Sequence, residues 1–334
     1  MNNRERVLAA LNHRQPDKVP YEIGFTQKAH KAMAAYYGDE DFASKLGNSL
    51  TSFDTVPRNA WKEVAPDVWQ DPFGVQWNRS VDKDIGLVVN RLVTPDNVED
   101  FELPDPDDPA CYDYYDEAIR SKKDGFFYAD IGFSLFERAW TLAGMENVLM
   151  AMIDNKKFVH RLFDRILEYN LRVIENACRH NIDGMGFGDD WGQQRGLIMG
   201  PALWREFIKP RIRAMYGLFR SKGKFVFIHS CGKVDSIFPD LIECGLNVFN
   251  PFQPEVMDVF EMKRKFGDRL SFFGGISTQK TLPYATVAQV KDEVRRLLDE
   301  VGKGGGYIAA PAHAIPPDAR PENIAAMIEV LRNQ

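Results

Sequence analysis

The 334-residue chain carries only four cysteines, Cys111, Cys178, Cys231 and Cys244, dispersed and without a Cys-x-x-Cys pair. A disulfide framework and a closed, thiolate-rich zinc site are therefore not indicated, and a reducing cytoplasm is the expected home. No window reaches the run of about 20 apolar residues that a membrane-spanning helix needs. The opening residues, Met1-Asn2-Asn3-Arg4-Glu5-Arg6-Val7-Leu8, mix both charge signs on an amphipathic pattern and lack the apolar centre of a signal peptide. Excess positive charge is missing as well. The formal net charge is -6 and the basic residues are scattered, which argues against a nucleic-acid surface.

What is present suits a soluble enzyme: 44% hydrophobic and 27% charged residues supply a sizeable core and a solvated surface. Short apolar runs alternate with longer stretches whose apolar residues recur at three-to-four spacing, the rhythm of an α/β fold with parallel strands. Strands are predicted at 20–25, 53–56, 126–131, 182–187, 225–229, 247–250, 270–273 and 307–310. Helices are predicted at 201–222, 234–244, 256–266 and 287–301. Eight such units predict a single (β/α)8 TIM barrel occupying residues 1–334. Residues 69–90 predict an inserted β-hairpin over the barrel mouth, with arms at 73–77 and 86–90 around a charged turn. The acidic, proline-rich stretch 103–109 predicts a surface connection and not a domain linker.

The apolar run that ends at Ile228 is followed by His229-Ser230-Cys231-Gly232. Side chains alternate along a strand, so His229 and Cys231 point the same way and can share one ion. A later run, from Gly305 to Pro311, ends in Ala312-His313. An imidazole, a thiolate and a second imidazole with one position open is the donor set of a catalytic zinc. The plainer reading is a half-buried His capping a strand beside a Cys that serves as a small core residue. Active sites of such barrels gather at the C-terminal strand ends, where Asp189, Asp190 and Trp191, and then Asn250 and Gln253, also fall. Asp189 and Asp190 fit a general base, a substrate hydrogen bond or an oxygen ligand, and equally a helix N-cap or turn. Trp191 suits a pocket wall. Glu137 suits the pocket too, although the first turn of a helix favours a Glu in any case. Aromatics such as Trp140, Trp191, Phe252 and Phe273 point to an apolar or ring-bearing substrate, or simply to core packing.

His229-Ser230-Cys231-Gly232, Gly188-Asp189-Asp190-Trp191-Gly192, Asp71-Pro72-Phe73-Gly74-Val75, and the close from Tyr307 through His313 to Pro321-Glu322-Asn323-Ile324 together resemble the uroporphyrinogen decarboxylase superfamily over nearly the whole chain. The His-x-Cys-Gly motif resembles its cobalamin-dependent methyltransferase branch, which includes methylcobalamin:coenzyme M methyltransferases and O-demethylating enzymes. That resemblance implies a Zn²⁺ ion held by the His and Cys of the motif and by a later Cys. Here the later position reads Ala312-His313-Ala314-Ile315, so His313 is expected to replace the cysteine. One thiolate fewer leaves the ion more electrophilic, which suits polarising a methyl ether better than holding a thiolate nucleophile.

The decarboxylases of the superfamily carry an arginine-rich motif after the first strand, whereas residues 21–30 contain no arginine. A many-carboxylate substrate would want several arginine forks. The expectation is therefore a zinc-dependent methyltransferase that moves methyl from a small methylated substrate to cobalamin on a separate corrinoid protein. Transfer from methylcobalamin to a thiol or a pterin is the alternative, with decarboxylation or a non-catalytic binding barrel behind it.

Overall fold

The computed structural model describes residues 1–122 and 124–334. Seven strands form its central sheet: β1 Leu50–Asp54, β2 Phe126–Ile131, β3 Gly184–Gly188, β4 Phe225–His229, β5 Val248–Phe252, β6 Ser271–Ile276 and β7 Tyr307–Pro311. They pair in that order, each parallel to the next. Every connection between consecutive strands contains at least one helix, as parallel neighbours require. The helices form because their apolar residues fall on one face. In Lys156–Ala177, Phe158, Val159, Leu162, Phe163, Ile166, Val173 and Ile174 are all buried. Val287–Arg296 starts at Thr286, whose hydroxyl accepts from the Gln289 amide while the Gln289 side chain answers the Thr286 amide.

The sheet curls until residues 20–25 bridge its two edges. Ala309 N donates to Pro20 O at 2.9 Å and Glu22 N to Ala309 O at 3.0 Å, while on the other flank Ser49 N donates to Tyr21 O at 2.9 Å. This segment was predicted as a regular strand, but it makes only isolated bridges, Tyr21 to Ala309 and Phe25 to Ile315. Pro20 has no N–H to give. Beside β1, side chains stand in for backbone partners: Tyr21 N donates to Ser49 Oγ at 3.2 Å and Ile23 N to Asn48 Oδ1 at 3.1 Å. The strand predicted at 53–56 begins three residues earlier and ends at Asp54, since the chain must leave the sheet ahead of Pro57.

Residues 62–88 form a four-stranded antiparallel sheet from Lys62–Ala65, Val68–Gln70, Gln76–Asn78 and Leu87–Val88. The predicted arm at 73–77 is only partly strand, because Phe73 and Gly74 lie in a turn built on Asp71. Asp71 Oδ1 accepts from the amides of Phe73 (2.8 Å) and Val75 (3.0 Å), and Gly74 supplies a φ of 82°.

Inside the barrel Val7, Leu11, Leu50, Phe126, Phe227, Val248 and Ile308 pack together. Leu50, Phe126 and Val248 open their strands, so the helix Asn3–Leu11 plugs the N-terminal end. A larger apolar layer lies between sheet and helices. Among the described residues no helix is long and apolar enough to cross a membrane.

Asn48 ties residues 20–25 to β1 with three hydrogen bonds, to Ile23 N, Ile23 O and Glu22 Oε1. Asn48→Ala is expected to cost roughly 2 kcal/mol, measured by urea unfolding.

Candidate active site

β4 and β7 carry the proposed metal ligands to one place. His229 ends β4 and His313 follows β7 by two residues. One donor atom each from His229, Cys231 and His313 lies within 4.8 Å of the others, and Cys231 Sγ stands 3.5 Å from His229 Nε2. Tetrahedral ligands at 2.0–2.3 Å from a zinc ion sit roughly 3.5 Å apart. The two imidazole rings are 5.5 Å apart between centres and inclined at 76°, side by side without stacking.

The hydrogen bonds behind these residues decide which atoms are free. His229 Nδ1 lies 2.7 Å from Asn250 Oδ1, and Asn250 Nδ2 donates to the Phe273 carbonyl at 3.0 Å. With the amide nitrogen committed to that carbonyl, Oδ1 must accept, so Nδ1 carries the proton and the Nε2 lone pair faces the cavity. Burial, and then neighbouring His229, lowers the pKa of His313, favouring the neutral form that binds metal. The Cys231 thiol is pushed up by burial and then by Asp190 and Glu137. In this donor set it would ionise only against a cation. The chemistry and spacing of the three donors fit zinc.

The turn that carries Cys231 is held from both sides. Cys231 N donates to Asp190 Oδ1 at 2.8 Å and Gly232 N to Gln253 Oε1 at 2.7 Å. Gly232 has φ of 85°, and a Cβ there would meet the Gly192 carbonyl carbon at 2.4 Å, so the glycine of the motif is dictated by backbone contact.

A cavity of about 270 Å³ opens in front of the imidazoles. Among the predicted site residues, Glu137, Asp190, Asn250 and Phe273 line it together with His229 and His313. Cys231, Asp189, Trp191 and Gln253 do not. Asp189 is fully buried, and its carboxylate accepts from Glu137 N (2.8 Å), Leu135 N (3.3 Å) and Trp191 Nε1 (2.6 Å). It clamps the end of β3 to the start of helix Phe136–Ala143, the capping role that the sequence also allowed. Trp191, also fully buried, packs edge-on against Trp204 with ring centres 5.4 Å apart. Its ring lies in the core, away from the lining of this cavity. Gln253 spends its carbonyl on Gly232.

The sequence reading missed Tyr128, Asp130 and Phe133, all on the cavity wall. The signal was available: Phe126, Tyr128 and Asp130 alternate along β2, and a carboxylate closing the inward face of a barrel strand is unusual in a core position. Burial pushes Asp130 up to about 6. Glu137 is raised well above the ordinary carboxyl range by burial, then by Asp190 and Asp189. Next to Asp130, β3 presents Gly186 and Gly188 to the cavity. A Cβ on Gly186 would lie 2.3 Å from Asp130 Oδ1, and one on Gly184 would lie 2.8 Å from the Phe227 ring.

Known proteins agree with this architecture. A methyltransferase from Methanosarcina mazei superposes with a TM-score of 0.74 over 100% of this chain and 99% of its own, at 18% identity, which speaks for the fold alone. The methylcobamide:CoM methyltransferase MtaA of Methanosarcina barkeri is 30% identical over 131 residues, or 39% of this chain. A uroporphyrinogen decarboxylase of Pseudomonas fluorescens is 25% identical over 183 residues, or 54% of this chain. The chain spans 36% and 49% of the length of these two curated relatives. The sequence pattern of the family described as Uroporphyrinogen decarboxylase (URO-D) matches residues 73–334, a stretch that holds β2 to β7, the His-x-Cys-Gly turn and the cavity they surround. By that match the chain belongs to the uroporphyrinogen decarboxylase family.

Proposed function

We propose that this chain, acting as one barrel domain in the cytoplasm, is a zinc-dependent methyltransferase. It takes methyl from the heteroatom of a small substrate and delivers it to cobalamin carried by a separate corrinoid protein. The observation that carries this reading is the convergence of His229, Cys231 and His313, with the free lone pair of His229 facing the cavity. Bound there, zinc would supply Lewis-acid polarisation of the substrate heteroatom, and cobalamin the cobalt that accepts methyl. The protein's own residues hold the substrate and manage the proton. Glu137, whose pKa burial and the neighbouring aspartates raise, gives its carboxyl proton to the departing heteroatom. Asp190, anchored to Cys231 N, sits on the same wall and keeps the Glu137 pKa high. Tyr128, Phe133 and Phe273 on the wall favour an apolar or ring-bearing substrate over a highly charged one.

The likeness to methylcobamide:CoM methyltransferases favours, as second reading, the opposite direction, from methylcobalamin to a thiol. The two readings separate in the absorbance of the corrinoid. Loss of the cob(I)alamin spectrum on adding an aryl methyl ether supports demethylation. Loss of methylcobalamin on adding coenzyme M, with no reaction of the ether, supports the thiol direction.

Metal analysis of protein prepared without chelator is expected to give one zinc per chain, falling to background in Cys231→Ala. Retention of full zinc by that variant would remove Cys231 from the site. Asn250→Ala frees the His229 ring to turn and take the other tautomer, and should weaken zinc binding about 10- to 100-fold in a competition titration. Because the metal-free thiol sits above its ordinary range, binding expels a proton. Zinc affinity should then rise about tenfold per pH unit through neutrality in a chelator competition titration. Asp189→Asn turns an amide N–H₂ toward one of three converging donors, and is expected to cost about 2 kcal/mol in urea unfolding.

A further inference from the structure

The tip of the inserted sheet reaches the main cavity. Among the described residues of the insert, Ile85 alone lines the cavity wall, and it is 48% exposed, so it stands between the cavity and solvent. Asn78 and Leu87 pair across the sheet, and the chain between them, 79–86, leaves and returns at one point. That return needs Gly86, whose φ is 91° and where a Cβ would lie 2.7 Å from the Asn78 carbonyl oxygen. Within the loop the polar groups answer one another. Asp82 Oδ1 accepts from Asp84 N at 2.9 Å and from Ile85 N at 3.4 Å, and Arg79 Nε donates to the Ile85 carbonyl at 3.2 Å. The tip is thus braced as a unit by its own side chains.

What holds this unit to the barrel is slight. Arg79 N donates to Asp67 O at 2.7 Å and Lys83 Nζ to Asp67 Oδ1 at 2.7 Å, but Asp67 belongs to the insert. Among the described residues the hydrogen bonds from the loop to the barrel all end on Gln27, which opens the helix Gln27–Tyr37. Gln27 N donates to Asp84 Oδ1 at 3.0 Å, and Gln27 Nε2 to the Lys83 carbonyl at 2.8 Å. The Asp84 carboxylate gains from meeting the amide end of a helix. Both bonds are exposed, however, where water competes for the same groups. A braced loop, one weak outside contact and an apolar side chain on the cavity wall are the parts of a lid.

We propose that residues 79–86 are a lid on the main cavity, with Ile85 packing on the bound ligand and Gln27 as the catch that holds the lid shut. Release of the two exposed bonds to Gln27 lets the tip swing on its neck at Asn78 and Leu87 and opens the mouth. A ligand in the cavity covers the wet side of Ile85 and so favours the shut position. The lid belongs to the chain whatever the cavity takes, and it goes beyond the proposed methyl transfer. That reading gives it a use, because a substrate to be screened from water and a cofactor carried by another protein must come to the same mouth in turn.

Hydrogen–deuterium exchange of the full chain, read by mass spectrometry, tests the catch. The double variant Gln27→Ala/Asp84→Ala removes it, and both side chains are exposed, so the barrel is expected to fold as wild type does. Amides in 79–86 should then exchange about tenfold faster, while those in 68–70 and 76–78 keep their wild-type rates. Unchanged exchange in 79–86 overturns the proposal. Equal loosening of all three segments also overturns it, since the insert would then move as one body. Stopped-flow binding of 4-phenylimidazole to the zinc-loaded protein tests the gate. The probe should enter and leave the double variant about tenfold faster than wild type with little change in affinity, and should leave Ile85→Ala about threefold faster at an unchanged entry rate. Bound probe should also slow exchange in 79–86 of wild type. Entry and exit rates that the double variant does not alter, or exchange that the bound probe does not slow, overturn the lid. Failure to take up zinc would remove the metal from the methyl-transfer reading and leave the lid to be decided by the exchange comparison, which needs no metal.

Discussion

Asn250 joins three neighbouring strands through one side chain, and the donor set at the barrel mouth depends on that amide. It stands in β5, accepts from His229 on β4 and donates to the carbonyl of Phe273 on β6. Because a backbone carbonyl can only accept, the orientation of the amide is settled by the sheet, and the tautomer of the imidazole follows from it. The ring nitrogen that His229 keeps free is thus specified two strands away by the ladder that builds the barrel. Cys231 is placed by a comparable device, its own amide and that of Gly232 being held by Asp190 and Gln253. Residues that looked in sequence like candidates for touching a ligand turn out in part to position the residues that do.

The paired aspartates show how neighbours in sequence can be assigned opposite work. Asp189 points into the protein and takes three donors, while Asp190 faces the cavity. Alternation along an extended chain separates them. The first becomes a bracket between β3 and helix Phe136–Ala143, and the second joins Glu137 and Asp130 in a ring of carboxyls on one wall. Burial raises the pKa of both Glu137 and Asp130.

Much of the fold was legible because the physics that builds parallel strands is local. The runs at 126–131, 225–229 and 307–310 are apolar, short and bounded by turns, and each appears as a strand within a residue or two. The His-x-Cys pair was legible for the same reason, since period-two alternation fixes the side on which both residues emerge. What could not be read depends on contacts between distant segments. Residues 20–25 have strand composition, yet their partners are the side chains of Asn48 and Ser49, which no periodicity announces. Trp191 and Gln253 sit next to cavity residues in sequence but turn toward the core and toward Gly232. Asp130 went unnoticed because it lies in an otherwise apolar run, and only the cavity around it gives it meaning.

Gly186 and Gly188 leave part of the chamber wall as bare main chain. Peptide planes have no rotamers to exchange, so this flank cannot remodel itself around a guest in the way a wall of leucines or methionines does. Adaptation to different molecules must come from the side chains that surround it, Phe133, Phe273 and the carboxyls. The barrel therefore pairs a rigid face with an adjustable one, and the breadth of what it accepts is set by the second.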